Sequence, residues 1–279
     1  MRLSELGETA LLAELERRGL AHGIEHDVAE LGGGLVVTQD ALVEGVHFRL
    51  DWTSYRELGY RAAAVNLSDL AASGAVPQAL LVTLAAPAEV GLEDVVELYE
   101  GLNEPGVPVA GGDTTSAPQL VLAVTAVGHS ERVPGRAGAR PGDLIVVTGP
   151  LGAAGAAFRE GRHAQPPLRL EEGRRLAAVA HALTDISDGL AVDAGHLAAR
   201  SGCRLELDLE QDSLAPGATV EDLGFGEDYE LLAATPDPLD FPVIGRCVAG
   251  EGVEIRLLGK PVDVAGWEHF GGQGAGDLR

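Results

Sequence analysis

Tyr60-Arg61-Ala62-Ala63-Ala64-Val65-Asn66-Leu67-Ser68-Asp69-Leu70-Ala71-Ala72-Ser73 is rich in alanine and free of glycine and proline, a pattern that predicts a helix. Leu80-Leu81-Val82-Thr83-Leu84 follows as a short apolar run ahead of the breaker Pro87, which predicts a strand. The alternation extends outward in both directions. Leu35-Val36-Val37-Thr38 and Leu120-Val121-Leu122-Ala123-Val124-Thr125 predict strands, and Leu92 to Leu102 predicts a helix. Leucines at 3, 6, 11, 12 and 15 predict one amphipathic helix from Leu3 to Arg18, ended by Gly19. Beyond a basic stretch bearing Gly and Pro, Arg132 to Gly142, the texture resumes. Leu144 to Thr148, Arg204 to Leu209, Glu230 to Ala234 and Val253 to Leu258 predict strands, with helices from Glu171 to Leu183 and from Leu190 to Arg200. The expected class is α/β (α+β) with two domains, 1–133 and 134–279, and the glycine-rich end from Gly271 reads as a loose tail.

At 279 residues, with 46% hydrophobic and only 4% aromatic side chains, the chain can bury a large core built from Leu, Val, Ile and Ala. Forty-three acidic against 20 basic residues give a formal charge of −23, which repels nucleic acid and anionic lipid. Neither is expected as a partner. The two cysteines, Cys203 and Cys247, offer no disulfide framework or metal spacing, so a reducing compartment is expected. The acidic N-terminus, and the lack of any apolar run near the roughly 18 residues that span a bilayer, predict a cytoplasmic protein.

The aspartates carry the chemical signal. Asp40 closes an apolar strand, Asp113 sits in the glycine turn Gly111-Gly112-Asp113-Thr114-Thr115, and Asp185 and Asp188 bracket Asp185-Ile186-Ser187-Asp188-Gly189. Each alone also reads as a turn former or helix cap. Asp69 is different, because a carboxylate in an apolar alanine-rich helix is costly to bury without a compensating cation. A hard cation with oxygen ligands, such as magnesium, suits such a set, and glycine turns let backbone amides approach phosphates. The sole lysine, Lys260, precedes a proline, so no phosphate-loop or protein-kinase lysine exists. Phosphate chemistry would then rest on metal ions and on arginines such as Arg136, which also reads as a solvated linker residue. His47 reads as a substrate contact or, more simply, as a packed ring, and Gly226-Glu227-Asp228-Tyr229-Glu230 as a solvated turn or as a site for an organic cation.

Seven ordered motifs resemble the thiamine-monophosphate kinase family, within the superfamily of aminoimidazole ribonucleotide synthetase. They are Thr38-Gln39-Asp40 with Val43 to Phe48, Ala64 to Ala72, Gly111 to Thr115, Gly138 to Asp143, Asp185 to Leu190, Gly226 to Leu231 and Gly266-Trp267-Glu268-His269-Phe270. The resemblance implies synthetase-like N-terminal and C-terminal domains, a homodimer paired through the N-terminal domains, and direct in-line phosphoryl transfer from ATP to thiamine monophosphate. It implies several magnesium ions held by Asp27, Thr38, Asp40, Asp69, Asp113 and Asp185, with a further ion at Asp188. It implies ATP contacts at Gly112, Asp113, Arg136 and Ser187, substrate contacts at His47, Glu227 and Trp267, and no catalytic side chain. The chain departs from the family's usual Gly-Ile-Gly-Asp-Asp at Gly23-Ile24-Glu25-His26-Asp27, and Gln39 replaces a usual hydroxyl residue. Another ATP-using member of the superfamily, or a catalytically weakened nucleotide-binding homologue, are the alternatives.

Overall fold

The computed structural model describes residues 2–21 and 26–266. The chain runs α1 (Leu3–Leu6), α2 (Glu8–Arg17), β1 (Ala29–Gly32), β2 (Leu35–Val43), α3 (Tyr55–Ala72), β3 (Val76–Ala86), α4 (Leu92–Asn103), β4 (Val109–Ser116) and β5 (Val121–His129). It continues with β6 (Leu144–Val147), α5 (Ala153–Arg159), α6 (Leu170–Val179), β7 (Ala182–Asp185), α7 (Leu190–Ser201), β8 (Arg204–Leu209), β9 (Leu231–Thr235), β10 (Val243–Val248), β11 (Gly252–Leu257) and β12 (Lys260–Pro261). Two mixed sheets result, ordered β1-β2-β5-β3-β4 and β12-β11-β8-β10-β6-β9-β7. No described helix is long and apolar enough to cross a membrane.

Strand β2 alternates as a half-buried strand should, with Val36, Thr38 and Leu42 buried and Gln39 and Ala41 on the open face. Helix α3 covers the buried face and starts at a capping box in which Ser54 Oγ accepts the Glu57 N–H while the Glu57 carboxylate accepts the Ser54 N–H. It is buried nearly all round because three layers meet it. The first sheet and α4 lie on one side, and α6 and β7 of the second half on the other. Small residues make this possible: a Cβ on Gly59 would lie 1.9 Å from the Leu98 carbonyl oxygen, and one on Gly173 would lie 2.1 Å from that of Ala71. The second sheet is likewise covered on both faces. Leu205, Leu207, Ile145 and Leu232 pack with Ala194 and Leu197 of α7, while Val146, Leu183 and Leu231 pack with Leu176 of α6 and with Ala71 and Ala72.

Several elements differ from the sequence reading. The first helix is broken into two at Gly7, where φ is +77°. The segment around Asp113 is not a turn but β4, an edge strand pairing parallel with β3. Asp40 does not end β2 but lies inside it, opposite Val124. Helix α6 stops at Val179, and Ala182 to Asp185 form a buried strand. The Glu227 to Tyr229 loop is not a solvated turn, since Asp228 and Tyr229 are buried and Asp228 accepts the N–H groups of Gly152 and Ala154. The tail from Gly271 lies outside the described residues.

Gly59→Ala would set a methyl group against backbone rather than a side chain that can yield. Overpacking of that kind costs about 1–3 kcal/mol and outweighs the ~1 kcal/mol helix preference of Ala over Gly. The urea midpoint of Gly59→Ala should fall, and an unchanged or higher midpoint would contradict the close α3–α4 contact.

Candidate active site

Three carboxylates from distant parts of the chain meet in one place. Asp27 precedes β1, Asp69 lies on α3 and Asp185 ends β7, and one oxygen from each lies within 4.8 Å of the others. Thr38 Oγ1 on β2 donates to Asp69 Oδ2 at 2.5 Å, and Ser68 Oγ donates to Asp185 Oδ2 at 2.6 Å. Asn66 accepts the Asp40 N–H at 2.9 Å, which ties β2 to the same turn of α3. The set lines a cleft of about 440 Å³ together with Asp40, Arg136, Ser187, Asp188, His47, Glu227 and Tyr229. Glu8 and Leu12 of α2 border the same cleft.

Crowding of like charges shapes the titration of these groups. Burial first, then the charges of Asp40, Asp185 and Asp27, push the Asp69 carboxyl well above its ordinary range. Burial and Asp27 push Asp185 up to about 7, against the hydrogen bond from Ser68 and the charge of Arg136. Arg136 pairs with Asp27, and its Nε donates to Thr184 Oγ1 at 3.2 Å. Burial opposes its charge, but Asp27, Asp185 and Asp193 hold it above the usual arginine value. Three hard oxygen donors that repel one another in the absence of a cation fit a divalent metal ion, magnesium by the hardness of the set. His26, where the family has an acid, also lines the cleft, with its buried Nδ1 unpartnered among the described residues.

The part of the cleft wall bearing His47 and Glu227 is equally defined. His47 Nδ1 accepts the Val43 N–H at 3.1 Å, so the neutral ring carries its proton on Nε2. Glu227 and Tyr229 both hold left-handed backbone, with φ +59° and +51°. Their N–H groups donate to the carbonyls of Ser187 and Ile186 at 2.8 and 2.9 Å. Arg61 of α3, which sequence reasoning passed over, pairs with Glu227 at 2.6 Å. Its position in the alanine-rich helix was the only signal.

Two expected residues stand apart. Asp40, Val124, Val82 and Gly112 form one cross-strand row, so Gly112 and its neighbour Asp113 lie three strand spacings from Asp40, about 14 Å. Asp113 is exposed on β4 and reaches neither Asp69 nor Asp185 within this chain. A Cβ on Gly112 would lie 1.8 Å from the Val82 carbonyl oxygen and φ there is +148°, so only glycine fits. Trp267 lies outside the described residues.

The raised Asp185 value fixes a sign. Between pH 3.8 and about 7 the folded chain keeps a proton that the unfolded chain has lost, so stability falls as pH rises through that window and levels off above it. In EDTA, the unfolding midpoint should drop between about pH 5 and about pH 8, and Asp185→Asn should flatten the drop. Magnesium should raise the midpoint more at the higher pH, because the ion needs ionised carboxylates. Equal magnesium effects at both pH values would contradict a carboxylate metal site.

Comparison with known proteins covers nearly the whole chain. Residues 25–130 match the AIR synthase related protein N-terminal domain family, and residues 140–264 match the corresponding C-terminal domain family. The thiamine-monophosphate kinase of Aquifex aeolicus is 33% identical, over 97% of this chain and 100% of its own length. That of Mycobacterium tuberculosis strain H37Rv is 33% identical, over 96% and 93%. The structure of AaThiL complexed with AMPPCP and TMP superposes with a TM-score of 0.85 at 32% identity, covering 96% of this chain and 99% of that one. With both domain families matched and nearly the whole of each relative covered at about a third identity, the chain belongs to the thiamine-monophosphate kinase family.

Proposed function

We propose that this chain transfers the γ-phosphoryl group of ATP to thiamine monophosphate, giving ADP and thiamine diphosphate. A phosphate oxygen of the acceptor attacks the γ-phosphorus in line, while the bond to the bridging oxygen breaks and its electron pair leaves with ADP. The observation that carries the reading is the single cleft, which gathers Asp27, Asp69 and Asp185 with Arg136 at one part of its wall and His47 and Glu227 at another.

Magnesium held by Asp27, Asp69 and Asp185, with Thr38, Asp40 and Asp188 beside them, would offset phosphate charge and polarise the transferred group. Arg136 serves a phosphate by exchanging Asp27 for it, an exchange favoured once cations neutralise Asp27. Ser187 sits at the cleft wall near the nucleotide phosphates. Nε2 of His47 donates to the acceptor, and Glu227 faces its cationic thiazolium, with Trp267 assigned to the same substrate by family resemblance. The acceptor phosphate is ionised at neutral pH, so no general base is required and no side chain is assigned one.

Gly112 and Asp113 enter this reading through a second copy of the chain. β4 is an edge strand with exposed residues, and Leu81, Thr83, Gln39 and Ala41 are exposed on one face of the sheet, which supports a homodimer formed by residues 1–133. In that dimer Asp113 of each copy completes the metal set of the other. Residues 134–279 supply Arg136, Asp185, Asp188 and Glu227. The charge of −23 supports the absence of nucleic-acid and membrane partners, and the buried free thiols of Cys203 and Cys247 support a reducing, cytoplasmic setting.

Purified protein with ATP, magnesium and thiamine monophosphate should yield thiamine diphosphate, and no product at high enzyme concentration would refute the reading. Asp69→Asn and Asp185→Asn should each lower kcat by about 100-fold or more while the fold is kept, since shape is preserved and charge lost. Asp69→Asn and Asp113→Asn, each inactive alone, should recover about a quarter of wild-type activity on mixing, because half the chains pair as hybrids and one site of each hybrid is intact. Failure to recover activity would place Asp113 outside the partner's site.

A further inference from the structure

We propose that Arg61 is a positioning residue for the acceptor substrate, fixing the Glu227 carboxylate at the cleft wall from behind. The inference rests on the proposed function for the identity of the acceptor. Arg61 sits on α3 in the first half of the chain and Glu227 in the second, so the pair spans the junction between them. Arg61 is 5% exposed and the Glu227 side chain 11% exposed, with Nη2 2.6 Å from Oε2. Glu227 lines the cleft and Arg61 does not, so the arginine acts on a bound molecule only through its partner.

Neither Nε nor Nη2 of Arg61 has an aligned hydrogen bond among the described residues. The Glu227 carboxylate is therefore the main compensation for a buried guanidinium, and the requirement runs both ways. The Glu227 backbone is fixed separately, by its left-handed φ of +59° and its N–H bond to Ser187 at 2.8 Å. What remains to be fixed is the direction of the side chain. Arg61 supplies that direction.

Among the described residues, no second cation pairs with the carboxylate. His163 lies close enough for Arg61 and Glu227 to act on its charge, but burial, followed by Arg61, pushes its pKa down to about 4. Its Nε2 accepts the Arg49 N–H at 3.3 Å, and its ring packs 5.5 Å from that of Trp52. The ring is thus a neutral wall. The Arg61–Glu227 pair carries no net charge, so Arg61 contributes orientation rather than attraction. Without Arg61, Glu227 turns toward water, which removes a fixed acceptor from the wall.

The test is steady-state kinetics of the full chain with thiamine monophosphate and ATP. Arg61→Met should raise the KM for thiamine monophosphate about tenfold or more, with kcat within about threefold and the KM for ATP unchanged. Arg61→Lys, which keeps the charge and folds most readily, should regain part of that loss. The double variant Arg61→Met/Glu227→Gln should be no worse than Glu227→Gln alone, because Arg61 acts through Glu227. An unchanged or lower KM for thiamine monophosphate, a parallel loss for ATP, or additive effects in the double variant would overturn the proposal. If the wild type forms no thiamine diphosphate, the proposed function itself fails. The Arg61–Glu227 link is then read from urea unfolding of the same variants, where additive losses overturn it.

Discussion

Three carboxylates held within 4.8 Å of one another, each supplied by a different element, are the constraint around which the molecule is arranged. Like charges at such a distance repel by about 1 kcal/mol in water and by several times that at the dielectric of a protein cleft. A chain under no functional demand would not collect them. Burial and this repulsion push the Asp69 and Asp185 carboxyls upward, and a divalent cation would relieve the repulsion. The same argument explains the arginine economy of the site. With a single lysine in the chain, fixed positive charge near the cluster comes from Arg136, which is paired with Asp27.

Helix α3 is the element that makes the arrangement possible. Buried on nearly every side, it still carries Asn66, Ser68, Asp69 and Arg61, and each has a partner on another element or on the preceding turn. Asn66 accepts from the Asp40 N–H and donates to the Ala62 carbonyl, each at 2.9 Å, Ser68 reaches Asp185, Asp69 meets Thr38, and Arg61 meets Glu227. Two of these contacts cross from one half of the chain to the other. Alanine and glycine elsewhere on the helix bring α4 and α6 close enough for the polar residues to land with hydrogen-bond accuracy.

The legible parts of the sequence were those where composition is uniform between breakers. α3 and α4 are visible as stretches without internal breakers over most of their length, and β2, β3 and β5 as short apolar or β-branched runs. β4 hides because Val109 to Ser116 is an exposed edge of Gly, Thr and Ser, so nothing apolar alternates. β7 hides because Leu183 continues the apolar pattern of α6 with no Gly or Pro between, and only the tertiary pairing with β9 divides them. The Asp69 anomaly was readable in the helix itself, since a carboxylate amid alanines demands a cation. Arg61 was not, because its meaning depends on Glu227, which sequence separation conceals. Asp113 shows the converse case: its motif is legible, but its place within one chain lies about 14 Å across the sheet from Asp40.

The carboxylate cluster and the Glu227 wall of the cleft are also mechanically one piece. Asp185 closes β7, and the next residue, Ile186, donates its N–H to Glu230 and accepts from Tyr229, while Ser187 accepts from Glu227. A non-glycine residue in left-handed backbone costs about 1 kcal/mol or more, so the conformations of Glu227 and Tyr229 persist only because those hydrogen bonds and the surrounding packing select them. Any displacement of Ile186 or Ser187 would loosen the carboxylate at the far wall, and any movement of Glu227 would be felt at Ser187, two residues from Asp185 and next to Asp188. Phosphoryl transfer between two bound anions is sensitive to displacements below an ångström. Carrying Asp185, Asp188 and Glu227 on interlocked turns, rather than on independent loops, is how this fold keeps the two walls of the cleft in register.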